Sequence, residues 1–318
     1  MMAGVTDLLA EAARLHSRGT PAALATVLRT AGSTPRHAAA KMIVGTEGLL
    51  AGTIGGGRIE HDVTEAARRV AAGGPAVRIE RSLGADLGMC CGGKMEVLVE
   101  PLDAARAVPL GEAARRRARR LPCALVTDLG GSGKDVRDTD PCLVEKRPRF
   151  DGDRFVEPIL PSPRLVLFGA GHIARALAPL AAATGFEVIA CDEDESFLTP
   201  ERFPTVRLVT SFAVDDVARE IAPFGACDYA VIVTRDHAVD QEILAALLGR
   251  DELAFLGLVG SRAKVARFHK RLAARGLAPE TAWARLHAPV GLDLGAETPE
   301  EIAVAILAQL VATRAGRA

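Results

Sequence analysis

The sequence predicts an α/β protein made of two domains, the second of which is built on a parallel β-sheet. The first observation is the segment Arg164–Glu193, where an apolar run, a glycine-rich turn, a helical pattern and a second apolar run follow in that order. The second is length, because 318 residues with 49% hydrophobic content suffice for two cores. The third is a polar, proline-rich stretch before Pro163, which sets the boundary near Pro161 and gives domains 1–160 and 161–318.

The glycine-rich turn after the apolar run Arg164–Phe168 has the pattern GxGxxA. Gly169 permits a tight turn, and Gly171 lets the backbone approach a pyrophosphate at the start of the helix. Asp192 follows Gly171 by about 20 residues, where a carboxylate can accept hydrogen bonds from ribose hydroxyls. The pattern therefore predicts a Rossmann-like, doubly wound domain.

This turn offers two interpretations. In the first, Gly169, Gly171 and Asp192 belong to a site for NAD(P) or another nucleotide. His172, inside the turn, then faces solvent or contacts a phosphate, with a metal ligand as the less favoured alternative. Alternatively, the glycines are kept only for packing, because a fold does not fix its function.

The first domain is predicted to be mixed α/β. Its helical and strand patterns are separated by turn-rich segments, of which residues 30–36 have the character of a binding loop. Helices are predicted over residues 7–18, 58–70 and 103–120, and strands over 22–29, 41–44, 49–54, 76–81, 94–100 and 123–128.

Gly55–Gly57 directly precede a predicted helix. Glycines let successive N–H groups converge on an oxyanion, so this turn has the makings of an anion cradle. The same glycines also suit a strand-to-helix corner that needs positive φ angles. Arg36, Lys41 and Arg58 supply positive charge suited to a phosphate, and Glu60 adds a hydrogen-bonding group.

Cys90 and Cys91 are adjacent within the glycine-rich segment Gly88–Gly93. Their spacing is not the CxxC of zinc or thioredoxin-like sites. Neighbouring residues on extended backbone face opposite sides, and an exposed thiol near basic residues tends towards the reactive thiolate. The residues alone leave buried, inert cysteines and functional cysteines equally open.

Strands and helices continue to alternate through the second domain. Arg235, His237 and Asp240 follow the apolar strand Tyr229–Thr234, where ligands bind in open α/β sheets. Alternatively, His237 and Asp240 cap and solvate the next helix. Further strands are predicted over 206–211 and 255–259, and helices over 214–221, 240–248, 260–276 and 302–313.

Charge and composition exclude several classes of protein. A formal net charge of −1 gives no general attraction to nucleic acid or to a membrane surface. No apolar stretch reaches the ~18 residues of a membrane span, and the opening residues lack a secretory leader pattern. We therefore expect a cytoplasmic protein whose six cysteines form no disulfide framework and are thiols unless metal or redox chemistry involves them.

Seven motifs together resemble one known family over nearly the whole chain. They are GSTPRHAAAKM (32–42), GTIGGGRIE (52–60), GMCCGGKMEVLVEP (88–101), FGAGHIARAL (168–177), VTRDHAVD (233–240), GLVGSRAKVARF (257–268) and APVGLDLGAETPEEIAVAI (288–306). The chain resembles the XdhC/CoxI family of molybdenum-hydroxylase accessory proteins. Two positions depart from the family pattern, since Arg235 stands where histidine is common and Ala288 where cysteine is common.

The resemblance implies a chaperone rather than a catalyst, with no catalytic residues of its own. Such a protein binds the molybdenum cofactor while its terminal sulfido ligand is installed, and delivers it to an apoenzyme such as xanthine dehydrogenase. The implied partners are that hydroxylase, a cysteine desulfurase and a second copy of the chain.

The resemblance also suggests where the cofactor binds. Its phosphate would rest on Gly55–Gly57 with Arg36, Lys41 or Arg58, and its molybdenum–sulfur centre would contact a thiolate of Cys90 or Cys91. A competing hypothesis is an NAD(P)-dependent oxidoreductase. That class explains the turn in the second domain but gives no role to the cysteine pair or the glycine triplet.

Overall fold

The structure is a computed structural model that describes residues 7–34, 36–83, 92–277 and 279–316. The chain divides into two compact units, residues 1–161 and 162–318. No helix in the described ranges combines the length and apolar character needed to cross a lipid bilayer.

Two antiparallel sheets form the N-terminal unit. The first sheet has the order β3-β2-β1-β5-β4 and consists of β1 (Ala22–Ala31), β2 (Lys41–Gly45), β3 (Leu49–Gly52), β4 (Val77–Ser82) and β5 (Lys94–Pro101). The second sheet has the order β7-β6-β9-β8 and consists of β6 (Cys123–Asp128), β7 (Gly133–Arg137), β8 (Arg149–Asp151) and β9 (Arg154–Ile159). The helices are α1 (Leu8–Ser17), α2 (Gly57–Ala71), α3 (Ala104–Ala118) and α4 (Pro141–Glu145).

The first sheet is covered on both faces, which explains why β1 is apolar along most of its length. Val27 packs with Ile59 of α2 on one face. On the opposite face Leu24 packs with residues of α1, α3 and β6. Leu28 and Phe155 join the first sheet to the second. Because successive strand residues point to opposite faces, this burial needs apolar residues at consecutive positions.

Three connections leave the first sheet at the same end. The register pairs Ala31, at the end of β1, with Lys94 at the start of β5, and Ser82 at the end of β4 also pairs with Lys94. Gly52, at the end of β3, pairs with Met42 near the start of β2. We call this edge the loop end; its connections are residues 32–40, 53–56 and 83–93.

The C-terminal unit contains a parallel sheet with the order β12-β11-β10-β13-β14-β15. This is the strand order 3-2-1-4-5-6 of the doubly wound dinucleotide-binding fold. The predicted fold class is confirmed. The strands are β10 (Arg164–Phe168), β11 (Glu187–Cys191), β12 (Arg207–Val209), β13 (Asp228–Ile232), β14 (Phe255–Leu258) and β15 (Leu286–His287). The helices are α5 (His172–Ala183), a 3₁₀ turn (Glu195–Phe197), α6 (Val214–Ile221), α7 (His237–Leu248), α8 (Arg262–Ala274), α9 (Glu280–Trp283) and α10 (Pro299–Arg314).

A buried ion pair joins the two central strands of this sheet. Arg164 at the start of β10 donates from Nε and Nη2 to the carboxylate of Asp228 in β13, at 2.9 and 2.7 Å. Its guanidinium also donates to the Pro223 carbonyl at 3.2 Å, and Asp228 accepts the Gly225 amide at 2.7 Å. Both side chains are almost completely buried, so each charge depends on the other for solvation.

The secondary structure differs from the sequence-based expectations at strand β9 and at the start of helix α7. The proline-rich stretch before residue 163 contains strand β9, which includes Pro158. Among the described residues, β8 pairs with residues 154–156 of β9 and no strand pairs with Pro158 on that side, where a strand tolerates proline. Helix α7 begins at His237 with Asp236 as its N-cap, so Asp240 lies inside the helix rather than capping it.

Candidate functional site

The GSTPR segment and Gly93 pack backbone against backbone at the loop end. A Cβ atom at Gly93 would lie 2.6 Å from the Ala31 carbonyl oxygen and closer still to that of Ser33, so only glycine fits. The Leu83 amide donates to the Gly93 carbonyl at 2.8 Å. The described residues on either side of the β4–β5 connection are therefore fixed against the GSTPR segment.

The predicted cofactor thiols, Cys90 and Cys91, belong to this connection but lie outside the described residues. Burial raises the pKa of Cys123 and of Cys191, and burial together with the Asp140 carboxylate raises that of Cys142 to about 12. These three thiols are therefore poor nucleophiles and metal ligands. Among the described residues, no group of three or more His, Cys, Asp or Glu side chains could hold a metal ion.

The glycine turn at residues 55–57 surrounds an anion that belongs to the chain itself. All three glycines have positive φ angles, between 69° and 123°. Oε2 of Glu60 accepts the Ile54 amide at 2.9 Å, the Gly56 amide at 3.0 Å and the Thr53 hydroxyl at 2.5 Å. The turn therefore has the geometry of an anion cradle, and the Glu60 carboxylate fills it.

These contacts alter the acidity of Glu60. Burial acts to raise its pKa, but hydrogen bonds from the Thr53 hydroxyl and from backbone amides act in the opposite direction, and the net pKa is lowered. A lowered folded-state pKa means that Glu60 stabilises the fold fully above its ordinary pKa of about 4.3. That contribution disappears as the pH falls through the lower, folded-state value.

We expect Glu60→Gln to lower the free energy of unfolding at pH 7 by about 1 kcal/mol, since charge-assisted hydrogen bonds are about twice as strong as neutral ones. Urea unfolding at pH 7 and at about pH 3 measures the effect. The difference in unfolding free energy between the variant and the wild type should be smaller at the lower pH. Glu65→Gln on the same helix is the control, because the Glu65 side chain is about half exposed and bonds only Arg68 among the described residues. An equal difference at both pH values would contradict the assignment.

Lys41, expected from the sequence to contact a phosphate, has an internal partner instead. Its Nζ donates to Glu157 Oε1 at 2.7 Å and to the Ala39 carbonyl at 3.2 Å. Lys41 is 6% exposed and Glu157 2% exposed, so the pair lies in the interior between β2 and β9. Arg36 and Arg58, the other two basic residues expected to contact the phosphate, are exposed at the loop end and contribute accessible positive charge there.

In the C-terminal unit the two glycines of the GxGxxA turn have different roles. Gly169 has φ = 122°, and a Cβ atom there would lie 2.5 Å from the Val233 carbonyl oxygen. This glycine is required for packing against β13. Gly171 has no atom within 4 Å of its Cβ position, so its surroundings are open. His172 is the first residue of α5 and is exposed.

Asp192 lies at the end of β11 as predicted from the sequence, but its carboxylate already has partners. Oδ2 accepts the Ala170 amide at 2.9 Å, and Oδ1 accepts the Asp194 amide at 3.2 Å. Nη2 of Arg235 lies 3.5 Å from Oδ1, and Asp192 is only 2% exposed. The Arg235 guanidinium also stacks on the Phe197 ring, 3.7 Å from its centre.

The C-terminal unit has another buried ion pair, besides Arg164–Asp228, at the carboxyl ends of β13 and β14. The sequence analysis did not predict it. Nζ of Lys264 donates to Asp240 Oδ2 at 2.5 Å and to the Val259 carbonyl at 2.9 Å. The Thr234 hydroxyl donates to Asp240 Oδ1 at 2.7 Å. Asp240 therefore has a structural role, because it joins α7 to α8 and to Thr234, just after β13. His237, in the same helical turn, is exposed. The sequence feature that could have indicated this ion pair is the acidic residue Asp240 in the first turn of a helix.

Comparison with known proteins gives consistent matches. Residues 165–310 match the XdhC Rossmann domain, and residues 15–81 match the XdhC and CoxI family. The chain is 34% identical over 313 residues to the uncharacterized Escherichia coli protein YqeB, covering 96% of this chain and 46% of that protein. It thus spans about half the length of that relative.

Two further matches extend over nearly the whole length of both proteins. A probable xanthine dehydrogenase subunit of Bacillus subtilis is 32% identical over 323 residues, covering 92% of this chain and 93% of that protein. A crystal structure of a xanthine dehydrogenase from Bacillus halodurans superposes with a TM-score of 0.79 at 26% identity, covering 99% of this chain and 97% of that one.

Proposed function

The chain belongs to the XdhC and CoxI family, and we therefore propose that it is an accessory protein in the maturation of a molybdenum hydroxylase. In the full proposal it binds the molybdenum cofactor, holds it during sulfuration and delivers it to the apoenzyme. The relatives named as xanthine dehydrogenase or as part of one favour a client of that type.

The observation that carries the proposal is the loop end of the first sheet. The register of five strands brings the GSTPR, GTIGGG and cysteine-containing connections to one edge. Gly93, two residues after Cys91, packs directly on the GSTPR segment. The described residues that flank the three motifs of the N-terminal unit therefore lie at one end of the sheet, which supports a single ligand site formed by all three.

The described residues at this edge fit the phosphate of a pterin cofactor. Arg36 and Arg58 are exposed, and guanidinium groups bind phosphate through paired hydrogen bonds. The Gly56 amide donates to Glu60, the Gly55 amide donates to the Thr53 hydroxyl oxygen, and Lys41 pairs with Glu157. We therefore assign the phosphate to the two arginines rather than to the turn or the lysine.

Cys90 and Cys91 complete the proposal as ligands of the molybdenum–sulfur centre. Thiolates are the ligand type that soft centres prefer. The cofactor, when bound, supplies the molybdenum chemistry that the client enzyme later uses, while the chain itself only binds and orients it. A cysteine desulfurase as sulfur donor and a second copy of the chain as dimer partner remain parts of the proposal.

The test replaces each cysteine separately in protein co-expressed with the cofactor biosynthesis enzymes. We expect Cys90→Ala or Cys91→Ala to lower the molybdenum and pterin content by at least about tenfold, the loss of one strong ligand. Molybdenum is measured by inorganic mass spectrometry, and pterin by the fluorescence of its oxidised form.

Cys227→Ala provides the control, because Cys227 is a half-buried cysteine of the C-terminal unit. It should keep the wild-type cofactor content. A second readout is activation of apo xanthine dehydrogenase by the loaded protein. Unchanged cofactor content and unchanged activation in both Cys90→Ala and Cys91→Ala would refute the role of the pair.

A further inference from the structure

Asp192 occupies the position from which Rossmann domains bind the ribose of a dinucleotide, but here it is covered. In Rossmann domains that bind NAD, this carboxylate accepts hydrogen bonds from the ribose hydroxyls. The Asp192 side chain is 3% exposed, and its oxygens accept the amides of Ala170 and Asp194. Ala170 is the middle residue of the glycine turn, and its amide donates to Asp192 instead of pointing towards the place of a pyrophosphate.

Arg235 is the group that covers the remaining side of Asp192. Its guanidinium lies 3.5 Å from Asp192 Oδ1 and 3.7 Å from the centre of the Phe197 ring. Arg202 lies against the same ring, at 5.0 Å, and donates to the Ala170 carbonyl at 3.1 Å. Stacking on an aromatic face and an ion pair both restrain an arginine that is otherwise half exposed.

We propose that Arg235 excludes NAD(H) from the Rossmann crevice by occupying the place of the ribose diol on Asp192. The glycine turn then serves to pack β10 on β13 and to fix Asp192, rather than to bind NAD(H). This inference concerns only the C-terminal unit and does not depend on the cofactor site proposed for the N-terminal unit.

The experiment titrates the full-length protein with NADH and follows nicotinamide fluorescence. Wild-type protein should bind NADH weakly, and Arg235→Ser should bind it at least about tenfold more tightly, the effect of one hydrogen bond to a charged group. Removing a cation would weaken any anionic ligand held by that cation. A gain in affinity therefore points to the uncovering of Asp192.

Phe197→Leu is the second variant, because it keeps the arginine but removes the ring that restrains it. We expect a smaller gain in NADH affinity from it. Arg267→Ser, an exposed position on α8, is the matched control and should leave the affinity unchanged. Thermal unfolding of each variant checks folding.

Three results would overturn the proposal. They are weaker NADH binding by Arg235→Ser than by wild type, equal binding by the two proteins, and a failure of Arg235→Ser and Phe197→Leu to bind NADH at all. None of these outcomes bears on cofactor retention by Cys90 and Cys91.

Discussion

Replacing Arg164 with methionine should lower the free energy of unfolding of the C-terminal unit by about 3–5 kcal/mol. Asp228 would then remain as a buried charge without its partner, and burial of an uncompensated charge is strongly unfavourable. Urea unfolding followed by the fluorescence of Trp283, the one tryptophan of the sequence, measures this change.

Two further variants separate the ion pair from a general effect of arginine removal. Arg175→Met changes an exposed arginine on α5 and should alter the unfolding free energy by less than about 0.5 kcal/mol. The double variant Arg164→Met/Asp228→Asn removes both charges and should be more stable than the single Arg164→Met variant. A single variant as stable as wild type would contradict the buried pair.

Replacing Lys41 with methionine should also lower the free energy of unfolding by about 3–5 kcal/mol, even in phosphate-free buffer. The reason is that Glu157, 2% exposed, loses the ammonium that neutralises it. Urea unfolding followed by far-ultraviolet circular dichroism measures the effect. The double variant Lys41→Met/Glu157→Met should recover most of the lost stability, because well-packed apolar groups can replace a buried pair.

Lys94→Met is the control for this experiment, since Lys94 is an exposed lysine at the loop end. It should change stability little. The same proteins decide between two roles for Lys41. If Lys41→Met were as stable as wild type but bound phosphate more weakly, the lysine would be a ligand group and our interpretation of the ion pair would be wrong.

Local sequence patterns predicted the elements well where the periodicity was complete. Helix α6 and strand β6 begin and end at the predicted residues, 214–221 and 123–128. In α6 the apolar residues recur at helical spacing, and β6 begins with a continuous apolar run. The structure of each segment therefore depends little on distant residues. Strand β9 was missed because Arg154, Glu157 and Pro158 disrupt the strand pattern. The burial of Glu157 depends on Lys41, which lies far away in the sequence.

The same dependence on distant residues explains which features of the candidate site were not predicted. Sequence motifs located the two glycine turns, because turn geometry is a local property of glycine. They did not reveal that Glu60 fills one turn, although an acid is favoured in the first turn of a helix, where Glu60 stands. The contact of Asp192 with Arg235 spans 43 residues, and no local pattern encodes it.

The Lys41–Glu157 pair has a consequence for how the N-terminal unit folds. Its partners are 116 residues apart in sequence and belong to different sheets. Neither sheet can therefore satisfy its buried charge until the other has assembled, because a lone charge in the interior is disfavoured. The two sheets should consequently unfold in a single cooperative transition, without a populated state in which only one of them is intact.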